Sequence, residues 1–241
     1  QKPDGVTDWT DHHKSGHIQE SCRKICPAYG LPHGASESTG MTEMPLEPDS
    51  PDDESHSSES WHTDGGSHLE MIFDRTLWSA SDIDLVRARV CIATDITCEI
   101  FSWPALEVGG LFCGDDRICD LNSMFRGKNK PTNVLSFPTG DDMSSGDAPV
   151  MAGEIAMSFE TLQAEARDEE KSLGDHLTHL WVHGLLHLMG HDHESDDEAD
   201  IMEAGEVRVL ARLGIDNPYA DADGDDGGDL MSPVVNAGGV G

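Results

Sequence analysis

The chain has 241 residues, with 47 Asp and Glu against 15 Lys and Arg, a formal net charge of −32. That length suits one substantial domain with tails or two small ones, and that charge opposes nonspecific adhesion to nucleic acid or to an anionic membrane. Six cysteines are few for a secreted disulfide framework. No apolar run approaches a bilayer span, and the opening Gln1-Lys2-Pro3-Asp4-Gly5 holds no apolar signal core, so a reducing, cytoplasmic setting is expected.

Residues 1–66 carry 13 acidic and 4 basic side chains with little hydrophobic periodicity. Such a composition cannot bury enough apolar surface to fold, so this extension is expected to be disordered, as is the Asp/Gly-rich tail 221–241. His13, His17, Cys22 and Cys26 offer metal-type side chains there, but their order and short gap do not match a zinc-finger module. The intervening residues 67–220 read as one domain. His-Leu-Glu-Met-Ile-Phe over 68–73 predicts a strand. Ser81 and Asp82 precede Leu85, Val86, Val90 and Ile92 at helical intervals, which predicts a capped helix. The apolar run 108–112, followed by Gly114 and Asp115, predicts a strand and turn leading into a helix over 117–125. Two further strands are expected at 133–137 and 154–159, separated by a polar loop at 139–148. Helices are expected at 161–171, 175–189 and 196–213, the last stopped by Gly214. Strands first and helices after imply an α+β domain, a small mixed sheet packed against helices. Cys91, Cys98, Cys113 and Cys119 fall in apolar or mixed segments and are expected to be reduced core residues.

The chemistry is concentrated in His183-Gly184-Leu185-Leu186-His187-Leu188-Met189-Gly190-His191-Asp192-His193. Residues four apart share one face of a helix, so His183 and His187 can address one cation. Gly190 tolerates the left-handed backbone that ends a helix, and the turn it allows can return His193 to the same point. Three imidazoles with a fourth position open is the arrangement of catalytic zinc at the end of a helix, since structural zinc is usually closed by four ligands rich in Cys. The spacing overlays H-E-x-x-H-x-x-G-x-x-H of zinc proteases, but position 184 is Gly where that pattern needs its general base. Asp192 is a candidate either to orient a ligand imidazole from behind or to cap the helix that starts near Asp196. Glu154 is a candidate strand-end carboxylate facing the cleft, but a solvated place at the strand edge is the expectation.

A second cluster, Arg126-Gly127-Lys128-Asn129-Lys130, places three of the fifteen basic side chains within five positions. In so acidic a chain this loop needs an anionic partner or an internal counter-charge. Phosphate is the obvious ligand, with Arg126 suited to bidentate contact and Lys128 and Lys130 as flanking contacts. Taken alone, the cluster is better read as a solvated turn before a strand.

Together, L-N-x-x-F-R-G-K-x-K-P-T-N-V-L-S-F-P from Leu121, then Gly153-Glu154-Ile155 and the histidine motif, resemble the YbeY family of bacterial endoribonucleases, or rRNA maturation factors. The resemblance runs from about residue 68 to 220 and includes the closing stretch from Leu210 to Tyr219. It implies a zincin-like domain with one zinc on His183, His187 and His193, and Arg126 as the functional arginine of the cleft. It also implies a single-stranded RNA substrate, chiefly precursor rRNA of the small ribosomal subunit, in rRNA processing and ribosome quality control, with no membrane or DNA partner expected. His191 departs from the family, which usually has Tyr there, and the acidic extension lies outside the family's core. Two alternatives compete: a ribosome-assembly factor with mainly structural zinc, and a metallopeptidase, which Gly184 disfavours.

Overall fold

In a computed structural model of the chain, residues 55–139, 149–193 and 195–220 are described. The elements run β1 (His56–His62), β2 (His68–Asp74), α1 (Ala80–Phe101), β3 (Leu106–Cys113) and α2 (Asp115–Arg126). They continue with β4 (Val134–Pro138), β5 (Val150–Ser158), α3 (Phe159–Asp168), α4 (Leu173–Leu188) and α5 (Asp196–Arg212). The five strands form one mixed sheet in the order β1-β2-β3-β5-β4, parallel in the middle and antiparallel at both edges. This is the α+β arrangement of a small mixed sheet packed against helices. Strands and helices are interleaved rather than segregated, contrary to the expected order. The parallel pairs β2–β3 and β3–β5 require crossovers, and α1 and α2 lie in those connections.

The sheet divides the apolar side chains into two clusters. On one face Leu69, Phe73, Phe112, Ile155 and Met157 meet Val86 and Val90 of α1 and Trp181, Val182 and Leu185 of α4. On the other, Ile72, Leu111, Leu135 and Ala156 meet Ile118 and Leu121 of α2. The indoles of Trp78 and Trp181 are wholly buried, so each N–H needs an acceptor. Trp78 Nε1 donates to the Cys113 carbonyl at 3.3 Å and Trp181 Nε1 to Thr94 Oγ1 at 3.0 Å. The second bond locks α4 to α1 and so sets the helix that carries the histidines.

The expectation of disorder through residue 66 is corrected by β1, which pairs antiparallel with β2 along its length. An edge strand needs little apolar surface because backbone pairing supplies its order. Trp61 is its one buried anchor, and the Trp61 ring lies 6.0 Å from Phe73. The connecting turn is tied to α1 by Asp95, which accepts from the Gly65 amide at 2.9 Å and from the Thr63 hydroxyl. The disorder expected of residues 1–54 and 221–241, the residues of the N-terminal His and Cys pairs, and most of the polar loop (140–148) lie outside the described residues.

Most predicted elements fall within a few residues of those observed. The N-cap of α1 is Ser79 rather than Ser81: the Ser79 hydroxyl accepts from the Asp82 amide and the Asp82 carboxylate accepts from the Ser79 amide, closing a capping box. The four cysteines Cys91, Cys98, Cys113 and Cys119 are free thiols, and burial pushes Cys98 up to about 11 and Cys113 up to about 12. Neither is a nucleophile near neutral pH. Among the described residues, no helix is long and apolar enough to cross a membrane.

Candidate metal centre

Helix α4 is capped by Ser172, whose hydroxyl accepts from the Asp175 amide at 3.0 Å. It runs antiparallel to β5: Gly184 lies against Ile155, and Leu188 against Gly153. A side chain at position 184 has no room, since a Cβ would stand 2.9 Å from Ile155 Cδ1 and 3.2 Å from Ser136 Oγ. The glycine therefore allows the close approach of helix and sheet, and the protease pattern's carboxylate has no place there.

The helix ends as its sequence requires. Gly190 has φ +86°, its N–H bonds the His187 carbonyl at 3.1 Å, and the His191 N–H bonds the Leu186 carbonyl at 3.0 Å. This turn also orients a ring, because His187 Nδ1 donates to the His191 carbonyl oxygen at 3.0 Å. His191 itself packs edge-on to Phe101, with ring centres 5.4 Å apart, and fills the aromatic position that the resemblance assigns to Tyr.

His183, His187 and His193 converge, with one potential ligand atom from each lying within 4.8 Å of the others. The Nε2 atoms of His183 and His187 are 3.1 Å apart. Tetrahedral zinc with bonds of about 2.0–2.1 Å would set such nitrogens about 3.3 Å apart, so the pair fits a metal with little adjustment. Both rings present Nε2 to the cluster because their Nδ1 atoms are otherwise engaged. His183 Nδ1 donates to Glu206 Oε1 at 2.8 Å, and His187 Nδ1 to the backbone as described. Burial, reinforced by the nearby His183 and His193, pulls His187 down to about 4, so its ring is neutral with a free lone pair near neutral pH. The third ring, on exposed His193, lies 5.0 Å from His187 and 5.6 Å from His183, centre to centre.

Glu206 was not foreseen. It lies on α5, fully buried, and accepts from His183 Nδ1, His179 Nε2 at 2.9 Å and the Tyr219 hydroxyl. Burial alone would raise its pKa, but these donors outweigh it and hold the carboxyl at about 2. A signal was present: Met202, Glu206, Val209 and Leu210 form the buried stripe of α5, and an acid within an apolar stripe needs a partner. Asp192 does not serve as the orienting carboxylate. It is exposed, its Oδ1 accepts the amide of His193 at 2.8 Å, and Ser195 caps α5 instead.

Arg126 is not in contact with the histidines. It closes α2 on the other face of the sheet, yet α2 and α4 both end toward the Gly153 end of β5, beside edge strand β4. Phe125 packs on Phe137 at 5.0 Å, and Phe137 pairs with Glu154. Arg126, Lys128 and Lys130 are all exposed, and none forms an ion pair among the described residues. Their loop is pinned from behind: Gly127 turns the chain at φ +67°, and Asn122 Nδ2 donates to the Lys130 carbonyl at 2.8 Å. Glu154, expected to be solvated, is instead largely buried. Its Oε2 lacks a hydrogen-bond partner, and burial pushes its carboxyl up to about 7.

Comparison with known proteins agrees with this architecture. Residues 86–214, more than half the chain, match the family profile described as Endoribonuclease YbeY. A protein of that name from Bradyrhizobium diazoefficiens is 52% identical over 121 residues, covering 49% of this chain and 66% of its own. One from a Jannaschia species is 42% identical over 161 residues, covering 63% of this chain and 99% of its own. A third, from a Bradyrhizobium species, is 51% identical over 163 residues and covered over 92% of its length. With the histidine turn, the basic loop and strands β3, β4 and β5 all falling inside the matched residues 86–214, the chain belongs to the YbeY endoribonuclease family.

Proposed function

We propose that this protein is a zinc-dependent, single-strand-specific endoribonuclease of the cytoplasm. In this reading it acts in rRNA maturation and ribosome quality control, on precursor rRNA of the small ribosomal subunit. The observation that carries the reading is the convergence of His183, His187 and His193, two of them with Nδ1 already committed and Nε2 turned to a common point. An all-imidazole set with a fourth position open suits catalytic rather than structural zinc, and a metal bound there supplies Lewis-acid activation of a water or a phosphate oxygen. Arg126 is suited to grip a backbone phosphate with its planar fork and to stabilise charge developing on it. Lys128 and Lys130 hold flanking phosphates as point charges. Gly184 leaves the peptidase alternative without its base.

Elemental analysis combined with cleavage of single-stranded RNA tests the reading. Wild type should carry about one zinc per chain, and His187→Ala should lose metal and cleavage together. Arg126→Ala should keep zinc and fold but cleave on the order of 10²-fold more slowly or worse, the scale of a lost charge stabiliser. Gently purified wild type without stoichiometric metal overturns the zinc reading, and near-normal cleavage by Arg126→Ala overturns the arginine's role. Chelation that abolishes RNA binding along with cleavage favours the assembly-factor alternative.

A further inference from the structure

Helix α5 ends at Arg212, and Gly214, at φ +71°, turns the chain so that the Ile215 N–H bonds the Leu210 carbonyl at 2.9 Å. The Asn217 side chain then accepts the Tyr219 amide at 2.9 Å, and the half-buried Tyr219 ring folds back over the helix. There its hydroxyl donates to Glu206 Oε2, and its ring meets His179 edge-on at 5.8 Å. Tyr219 stands five residues beyond the last residue matched to the family profile.

The two oxygens of Glu206 are divided. Oε1 faces His183 Nδ1 alone, while Oε2 takes both the Tyr219 hydroxyl and His179 Nε2. A carboxylate is planar, so fixing Oε2 fixes where Oε1 sits. Oε1 in turn accepts the hydrogen bond from His183 Nδ1, and the ring's Nε2 is turned toward His187 and His193. Such outer partners set the tautomer and direction of a ligand ring, and their loss typically weakens metal binding 10–100-fold.

We propose that Tyr219, acting through Glu206, is a positioning residue of the metal centre, so that the segment following α5 is part of the site. The inference rests on the reading that the three histidines hold a metal. Phe at position 219 keeps the edge-on ring and removes only the hydroxyl, which makes Tyr219→Phe the direct test in the full-length chain. Zinc affinity is measured by competition with a chromophoric chelator well below the melting temperature, and the Co2+-substituted protein is followed by visible absorption. Tyr219→Phe should weaken zinc on the order of 10-fold, and Glu206→Gln by as much or more. The Co2+ spectrum should change in both. A purely structural role for Tyr219 would lower the melting temperature but leave the affinity and spectrum of the folded protein unmoved, and that result overturns the proposal. Imidazole ¹⁵N spectra of metal-free wild type give a test that needs no variant. His183 protonated on Nδ1 supports the relay, and His183 protonated on Nε2 overturns it. Wild type that binds neither Zn2+ nor Co2+ overturns the metal reading and this inference together, whereas wild-type binding with an unchanged Tyr219→Phe overturns this inference alone.

Discussion

Glu154 offers a stability measurement whose sign and size follow from its surroundings. Its stem lies over Gly109, where even a Cβ would come within 3.0 Å of Glu154 Cγ, and its Oε2 is buried without a partner. Burial disfavours the ionised form and moves the carboxyl from 4.5 to about 7. An acid whose pKa is raised by folding holds its proton more tightly in the native state. Its contribution to stability is therefore complete below the unfolded pKa and is lost as pH rises through the folded one. For a shift of this size the loss between about pH 5 and pH 8 amounts to about 2–3 kcal/mol. Glu154→Gln removes the titration and little volume. Denaturant unfolding of both proteins across that range should show the stability difference, wild type minus variant, falling by about that amount as pH rises. Every other group is common to both proteins and cancels in the difference. Parallel pH profiles would falsify the claim that this carboxyl is held protonated by burial.

Two other perturbations test the packing and the charge distribution. Gly184→Ala should destabilise the protein by about 1–2 kcal/mol in a denaturant titration, although alanine gains about 1 kcal/mol in helix propensity, because its Cβ must displace Ile155 and Ser136. A more stable variant would refute the close-approach argument. Removing residues 1–54, with eleven acidic and four basic side chains, should leave folding and cleavage intact and tighten RNA binding, most visibly at low salt. Equal affinity at low salt with and without the segment disposes of the idea that it competes with RNA for the basic loop.

The convergence of His183, His187 and His193 was legible because its signal is local: two histidines one helical turn apart and a glycine that ends the helix all lie within eleven residues. Most strands and helices were legible from periodicity for the same reason. Glu206 escaped because it acts from another helix, nineteen residues beyond His187, and is one acid among 47. Only its place in the apolar stripe of α5 marks it out. Asp192 attracted attention by adjacency to His193, yet adjacent residues in a turn point apart, and its carboxylate bonds backbone instead. Strand β1 was missed because Ser57, Ser58, Glu59 and Ser60 carry no hydrophobic signal, and its order comes from the neighbouring strand's backbone. Glu154 was misjudged because a strand position does not reveal which neighbours close over it.

A chain of charge −32 is poorly built to attract a polyanion from a distance, and the arrangement of its few cations addresses this locally. Beyond a Debye length of about 8 Å at physiological ionic strength, individual charges are largely screened, so the nearest groups dominate what a docking phosphate senses. Arg126, Lys128 and Lys130 are exposed and unpaired among the described residues, whereas Arg89 and Arg212 are engaged with Asp175 and Glu99. Of the carboxylates near the histidines, Glu206 is wrapped by three donors inside the core and projects no free oxygen into the cleft, while the exposed Asp192 accepts the His193 amide. A divalent ion on the three imidazoles would add its positive charge at the same end of the sheet. On the proposed function, the place where α2 and α4 end together is the one at which this local positive charge offsets the repulsion that a net charge of −32 exerts on nucleic acid.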